Sequence, residues 1–180
     1  GTGLDRIDDM MPTAWEEVDG AGQPMGLRTV AGVGGGSDIE WNVGVGLPEG
    51  MNAYLSYSPQ PDGSKNSNKG VSGTSVGKDI DGGGWDIALT HSGLVDGLNV
   101  FAGYGEIDQT SALGDRTTTI AGATYAIGSI TIGYQWSKDN KVGVGAYYEN
   151  QAYGISFAVN DSLSVSYNVQ DSDKVKAGKA

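Results

Sequence analysis

Apolar and polar residues alternate with a period of two along most of this chain. Residues 163–170 read Leu-Ser-Val-Ser-Tyr-Asn-Val-Gln, and residues 130–137 read Ile-Thr-Ile-Gly-Tyr-Gln-Trp-Ser. Successive side chains of a β-strand point to opposite faces, so each of these segments has one apolar and one polar face. Many such segments in series predict a sheet that faces lipid on one side and water on the other.

The alternation predicts about eight strands, joined by connections that alternate strictly between short and long. Because consecutive strands of a meander run antiparallel, all long loops then lie at one rim and all short turns at the other. This pattern predicts an all-β fold, an antiparallel up-and-down transmembrane β-barrel. The register of the fifth strand stays open, because the run Thr117–Thr119 is tolerated on either face. The predicted strands are Asp38–Gly46, Met51–Ser58, Trp85–His91, Leu98–Glu106, Arg116–Ala126, Ser129–Ser137, Glu149–Val159 and Leu163–Gln170.

Composition narrows the classes of protein that fit. No apolar run approaches the roughly 20 residues of a membrane-spanning helix, which excludes helical spans but not strands. The net charge of -11 argues against a nucleic-acid partner. The chain has 0 Cys, which fits an outer-membrane or secreted protein, although cytosolic proteins can also lack Cys.

The positions of aromatic residues along the strands correlate with the length of the adjoining connection. One group lies where predicted strands meet long loops, and two further residues lie near the short turns. Amphipathic rings favour the boundary between membrane and water, so this placement predicts two aromatic girdles, although aromatics also favour strands in general. The first group is Trp41, Tyr57, Trp85, Tyr104 and Trp136, and the second is Tyr125 and Phe157.

Residues 1–36 differ from the rest because they are irregular, rich in glycine at their end, and acidic. We expect a long loop here, followed by the meander of residues 37–171 and by the start of a further external loop at 172–180. The N-terminus lacks the features of a signal peptide, and the C-terminus does not resemble a final membrane strand. We therefore expect an internal piece of a longer protein. The acidic residues of the first segment are Asp5, Asp8, Asp9, Glu16, Glu17 and Asp19.

With these features the chain resembles the Gram-negative porin family, in particular its alphaproteobacterial branch. The resemblance is carried by the acidic segment 3–9 and by hairpin segments such as 98–104, 120–125 and 132–136. It implies a trimeric outer-membrane barrel of sixteen strands whose third external loop folds into the lumen as a constriction. Residues 1–36 resemble that loop, and the eight strands would be the middle part of the barrel. The departures from the family pattern are the absent N-terminal strands, the absent signal peptide and the absent C-terminal aromatic residue.

The resemblance also implies a function. We expect a channel for passive diffusion of small hydrophilic solutes and ions, in contact with membrane lipid, lipopolysaccharide and two identical subunits. Carboxylates in a narrow lumen concentrate cations and repel anions. Because few basic residues oppose the acidic loop, we expect a cation preference. The predicted wall residues facing the lumen are Arg28, Asp38, Glu40, Asp86, Arg116 and Gln135.

No constellation of catalytic residues is visible, so we expect no enzyme and no cofactor. The single His91 lacks a second His or any Cys for a zinc site. The glycine-rich segment 32–36 lacks the Lys of a phosphate-binding loop. Residues 79–82, Asp-Ile-Asp-Gly, resemble part of a calcium-binding loop without its remaining ligands, which leaves a surface Ca²⁺ as an alternative.

Two other folds compete with the barrel of a porin. A soluble or surface-exposed β-sandwich, such as an adhesin or a carbohydrate-binding protein, would pack its apolar face against a second sheet. A complete eight-stranded membrane barrel would have no real pore. Larger apolar residues and less regular turn lengths would favour the sandwich. The long acidic start and the polar end argue against the small barrel.

Overall fold

The computed structural model describes residues 39–44, 46–58, 81–109, 116–141, 146–160 and 162–176. All regular secondary structure in these ranges is β-strand. None of these residues lies in a helix that could span a membrane. The eight strands are β1 Ile39–Val43, β2 Met51–Ser58, β3 Asp81–His91, β4 Leu98–Gln109, β5 Arg116–Ile127, β6 Ile130–Lys141, β7 Ala146–Asn160 and β8 Leu163–Lys176.

The eight strands form one sheet in which each strand pairs with the next along the chain. Their spatial order is β1 to β8, and all seven pairings are antiparallel. This is the up-and-down meander of a β-barrel, and it confirms the fold class predicted from the alternation. The part of the chain that the structure describes contains no second sheet onto which the first could pack, as a sandwich requires.

The short turns are held to neighbouring segments by backbone hydrogen bonds. Ser92 N–H donates to the carbonyl of Gly50 at 2.9 Å, and Ala126 N–H donates to that of Gly97 at 2.9 Å. Gly97 has a φ of 78°, and a Cβ there would approach the carbonyl of Ala126 too closely. Only glycine combines this left-handed backbone with such a close approach, so this turn requires it.

Several strands extend further toward the long loops than the alternation predicts. β4 continues to Gln109, β6 to Lys141 and β8 to Lys176. The reason is visible on the face that carries the apolar residues. Beyond Tyr104 and Trp136, this face turns charged, so the alternation stops while the backbone pairing continues. The ends at the short turns lie within about one residue of their predicted positions, except in β1, which stops at Val43.

Residues that lie opposite one another on successive strands form what we call a row. All members of a row point to the same face of the sheet, because directly opposite residues share a face. The row of Trp41 runs through Leu55, Ile87, Tyr104, Thr119, Lys138, Glu149 and Asp173. It begins apolar and ends charged.

The apolar band on this face therefore crosses the rows diagonally. In β2 the band is centred near Leu55, whose row reaches Glu149 in β7, whereas in β7 it is centred near Ile155. The band has shifted by six residues over five steps from strand to strand. A stagger of about one residue per strand is that of an eight-stranded barrel with a shear of 8, whose strands tilt by about 36°. A level membrane band thus fits strands with this tilt.

Candidate channel wall

The two faces of the sheet have the opposite polarity to that of a water-soluble protein. On the first face, which we call the outer face, Trp41 is 47% exposed, Leu55 42%, Ile132 43% and Val165 58%. On the other, which we call the inner face, polar side chains such as Gln135 and Asp139 are buried. A large exposed apolar surface marks contact with a membrane or a partner, not a soluble core.

Aromatic side chains on the outer face form a level line once strand tilt is considered. Tyr57 and Trp85 share a row, Tyr104 lies two residues closer to the short turns, and Trp136 two residues closer again. The steps follow the direction of the band, so these four rings have nearly the same height. The rings of Trp85 and Tyr104 are in contact, with centroids 5.6 Å apart. Trp41 lies opposite Leu55, two residues from the row of Tyr57 and closer to the short turns.

The two aromatics predicted near the other rim also lie on the outer face. Tyr125 pairs with Ile132 and Leu98, and Phe157 pairs with Ile130. Both lie within three residues of a short turn, as their strand bounds require. The line of four and this second pair thus flank the apolar band from opposite sides, which is the arrangement of aromatic girdles in membrane barrels.

Charged residues of the outer face begin directly beyond the line of four rings. Glu106 follows Tyr104 by two residues and accepts a hydrogen bond from its hydroxyl at 3.3 Å. Lys138 follows Trp136 by two residues, and its Nζ lies 4.1 Å from the centroid of the Tyr147 ring. This change from apolar to aromatic to charged follows the change from hydrocarbon to headgroups to water.

The inner face carries carboxylates and hydroxyls in a single row. Asp86 and Asp139 are fully buried at 0% exposure, and Thr118 lies between them at 1%. Glu40, which begins the row on edge strand β1, is exposed. The members of this row, hereafter the acidic row, are Glu40, Ser56, Asp86, Gly105, Thr118, Asp139 and Tyr148, with the backbone of Lys174 at its end.

The neighbouring rows of the inner face are largely neutral and polar. Asn150 donates a hydrogen bond through Nδ2 to Ser137 Oγ at 3.3 Å. Gln135 is 2% exposed one row further on. Apolar side chains also point inward, among them Ile120 at 1% exposure, Ala88 at 0%, Ala152 at 4% and Phe101 beside Gly122. The pairing with β6 thus resolves the register of β5, with Thr118 and Ile120 inside and Thr117 and Thr119 outside.

The structure places three of the predicted wall residues on the inner face. Glu40 and Asp86 share the acidic row, and Gln135 lies two rows from it. Arg116 begins β5 opposite Ile107. Arg28 and Asp38 lie outside the described residues, as do all six predicted constriction residues, Asp5, Asp8, Asp9, Glu16, Glu17 and Asp19. The roles of these residues stay predictions, as does a surface Ca²⁺ site at residues 79–82, of which Asp81 and Gly82 belong to β3.

Sequence reasoning missed Asp139, which it placed in the connection between the sixth and seventh strands. Asp139 continues the polar phase of β6 through Gln135 and Ser137, and it pairs with Thr118 and Tyr148. That unbroken polar phase was the available signal. Among the described residues, no group of three or more His, Cys, Asp or Glu side chains is placed to hold a metal ion.

The sheet therefore has an apolar outer face bounded by aromatic rings and charges, and a polar inner face that includes an acidic row. Comparison with curated proteins finds no match. A model of the Gram-negative porin family matches residues 8–180, nearly the whole chain. This family forms channels in membranes and does not consist of enzymes. The chain belongs to the Gram-negative porin family.

Proposed function

We propose that this protein forms a water-filled channel in the outer membrane through which small hydrophilic solutes and ions diffuse passively. The observation that carries the proposal is the inverted polarity of the sheet, with Leu55 and Ile155 exposed outside and Asp86 and Gln135 buried inside. A wall of this kind faces hydrocarbon with one side and a polar interior with the other. The family match over residues 8–180 supports the same function.

We further propose that the channel prefers cations. Supporting this preference, Glu40 and Asp86 on the inner face are acidic and Gln135 is neutral. Asp139 adds a third carboxylate to this face. With the acidic segment of residues 5–19 as a constriction folded into the lumen, both parts of the pore would carry negative charge. Rings of carboxylates are the common basis of cation selectivity in channels.

The partners follow from the same surfaces. The apolar band contacts the hydrocarbon of lipid, and the charged residues beyond the aromatic line lie at the height of headgroups, which in this membrane include lipopolysaccharide. Two identical subunits complete a trimer, as the family resemblance implies. A sandwich with a carbohydrate-binding role is disfavoured, because the large side chains Trp41, Ile132 and Val165 lie exposed and not in a dry centre.

Electrical recording tests the proposal directly. The purified protein, reconstituted in a planar bilayer, should produce stepwise conductance increases in KCl. Under a KCl gradient the reversal potential should have the sign of a cation-preferring pore. A protein that inserts and folds but never conducts would contradict the channel, while a clear anion preference would contradict the ion selectivity alone. Migration in detergent gels that changes on heating provides the control for folding.

A further inference from the structure

The acidic row consists of two repeated pairs in which a hydroxyl lies opposite a carboxylate. Ser56 pairs with Asp86 across β2 and β3, and Thr118 pairs with Asp139 across β5 and β6. All four side chains have at most 1% exposure. The hydroxyl oxygens of Ser56 and Thr118 are buried without a hydrogen-bond partner in the part of the chain that the structure describes.

A buried hydroxyl without a partner is costly, so it points to a group that the protein alone does not supply. Each hydroxyl lies directly across from a carboxylate, at the spacing of neighbouring strands, roughly 5 Å. Oxygen donors next to a negative charge suit a hard cation and repel an anion. The same pair occurs twice, three strands apart. This repetition argues against a chance pairing of a hydroxyl with a carboxylate.

Because the strands tilt, the residues of this row lie at successively different heights in the membrane. A row that is straight in the register moves toward the long loops by about one residue per strand relative to the level apolar band. Asp139 therefore lies roughly 8 Å higher than Asp86, and Asp86 roughly 5 Å higher than Glu40, taking about 3.3 Å per residue and a tilt of about 36°. Three carboxylates thus descend from the outer rim toward the middle of the membrane.

We propose that the Ser56–Asp86 and Thr118–Asp139 pairs, together with Glu40, set the charge selectivity of the pore from a descending line of mostly buried wall carboxylates. This inference rests on the proposed channel function and adds a location to it, on the barrel wall and separate from the acidic segment of residues 5–19. The wall carboxylates act through their field in a low-dielectric environment, where charge reaches further than in water.

The test compares neutralised carboxylates on the two faces of the same sheet. The inner-face variants are Asp86→Asn, Asp139→Asn and the two combined, and the matched outer-face controls are Glu149→Gln and Asp171→Asn. Each inner substitution should lower the ratio of cation to anion permeability on the order of twofold at about 0.1 M salt, from Coulomb interaction over about one Debye length. The effect should shrink at about 1 M salt, and the outer controls should leave the ratio unchanged.

Several outcomes are distinguishable. An unchanged ratio in the folded double variant would overturn the inference while leaving the channel intact. A wild-type protein that does not conduct would overturn the proposed function, and the inference with it. If Asp86→Asn or Asp139→Asn fails to fold, Glu40→Gln on the exposed edge of the row provides the same readout, and Asp139→Glu should keep the wild-type ratio. A shift as large in Glu149→Gln as in Asp139→Asn would show that position on the inner face is irrelevant, and would refute the proposal.

Discussion

The Phe101 ring lies across Gly122 on the neighbouring strand, and the two residues are directly paired on the inner face. A Cβ on Gly122 would lie 3.0 Å from Phe101 Cε1 and 2.7 Å from the Tyr134 carbonyl oxygen. An aromatic ring that covers a glycine on an adjacent strand shields the backbone there and pins the register. This contact holds β4 and β5 together where the inner face is otherwise polar.

We predict that Gly122→Ala lowers the free energy of unfolding by about 1–3 kcal/mol, because the added methyl group meets both ring and backbone. Removing the ring in the double variant Phe101→Ala, Gly122→Ala should recover only part of this loss, since the clash with the Tyr134 carbonyl persists. Urea unfolding in detergent micelles measures both. Gly44→Ala serves as the control, because its Cβ would meet only Asn52 Oδ1 at 3.6 Å. An equal loss of stability in Gly122→Ala and Gly44→Ala would contradict this explanation.

An arginine on the outer face should cost more at the centre of the apolar band than beyond its edge. For Ile155→Arg we expect a loss of about 2–4 kcal/mol in lipid vesicles, and for Gln151→Arg about 0–1 kcal/mol. The two positions lie on the same face of β7, and both are exposed. Equilibrium unfolding in vesicles gives the difference. Similar losses at both positions would mean that the band does not mark the hydrocarbon.

Three of the four Trp residues should report two different depths in the membrane. Trp85 and Trp136 belong to the level aromatic line, whereas Trp41 lies nearer the middle of the band. In variants that keep one Trp and replace the others by Phe, lipids brominated deep in the chain should quench Trp41 most strongly. Lipids brominated near the headgroup should instead quench the fluorescence of Trp85 and Trp136 most strongly. The reverse order would contradict the derived strand tilt.

The contact between Lys138 and Tyr147 should contribute modestly to stability. The ammonium lies 4.1 Å from the ring centroid, on neighbouring strands beyond the apolar band. A double-mutant cycle with Lys138→Gln and Tyr147→Leu should give a coupling energy of about 0.5–1 kcal/mol, which is typical of cation–π pairs at exposed sites. Because the attraction is electrostatic, the coupling should decrease in high salt. A coupling energy of zero at low salt would show that the two side chains do not interact in solution.

How far the sequence predicted this structure depends on which side of the membrane is considered. At the short turns, residues such as Gly97 and Gly128 end the alternation abruptly, and the strand ends there were close to their predicted positions. Toward the long loops the outward positions become charged, at Glu106 and Lys138, while hydrogen bonding continues. A pattern that depends on lipid contact loses its signal where lipid contact ends, so these strands were predicted too short.

The inner face was predictable in character but not in arrangement. Polar alternation indicated that Asp86 and Gln135 face inward, yet nothing local relates them to residues on other strands. Only the register brings Asp86 and Asp139 into one row, because it fixes which residues lie opposite each other across four strands. Ile120 points to the inner face although it is hydrophobic. Its neighbours in β5 leave the phase of that strand ambiguous, so the pairing with adjacent strands decides which side chains point inward.

We expect hydrocarbon to cover one face of the sheet and the other face to border a polar interior. Spin labels attached to single Cys substitutions at consecutive positions 164–169 of β8 test it most directly, since the chain has 0 native Cys. In lipid vesicles, oxygen should reach labels at Val165, Tyr167 and Val169, and a water-soluble nickel complex should reach those at Ser164, Ser166 and Asn168. Accessibility without a period of two, or nickel contact at the apolar positions, would contradict the account.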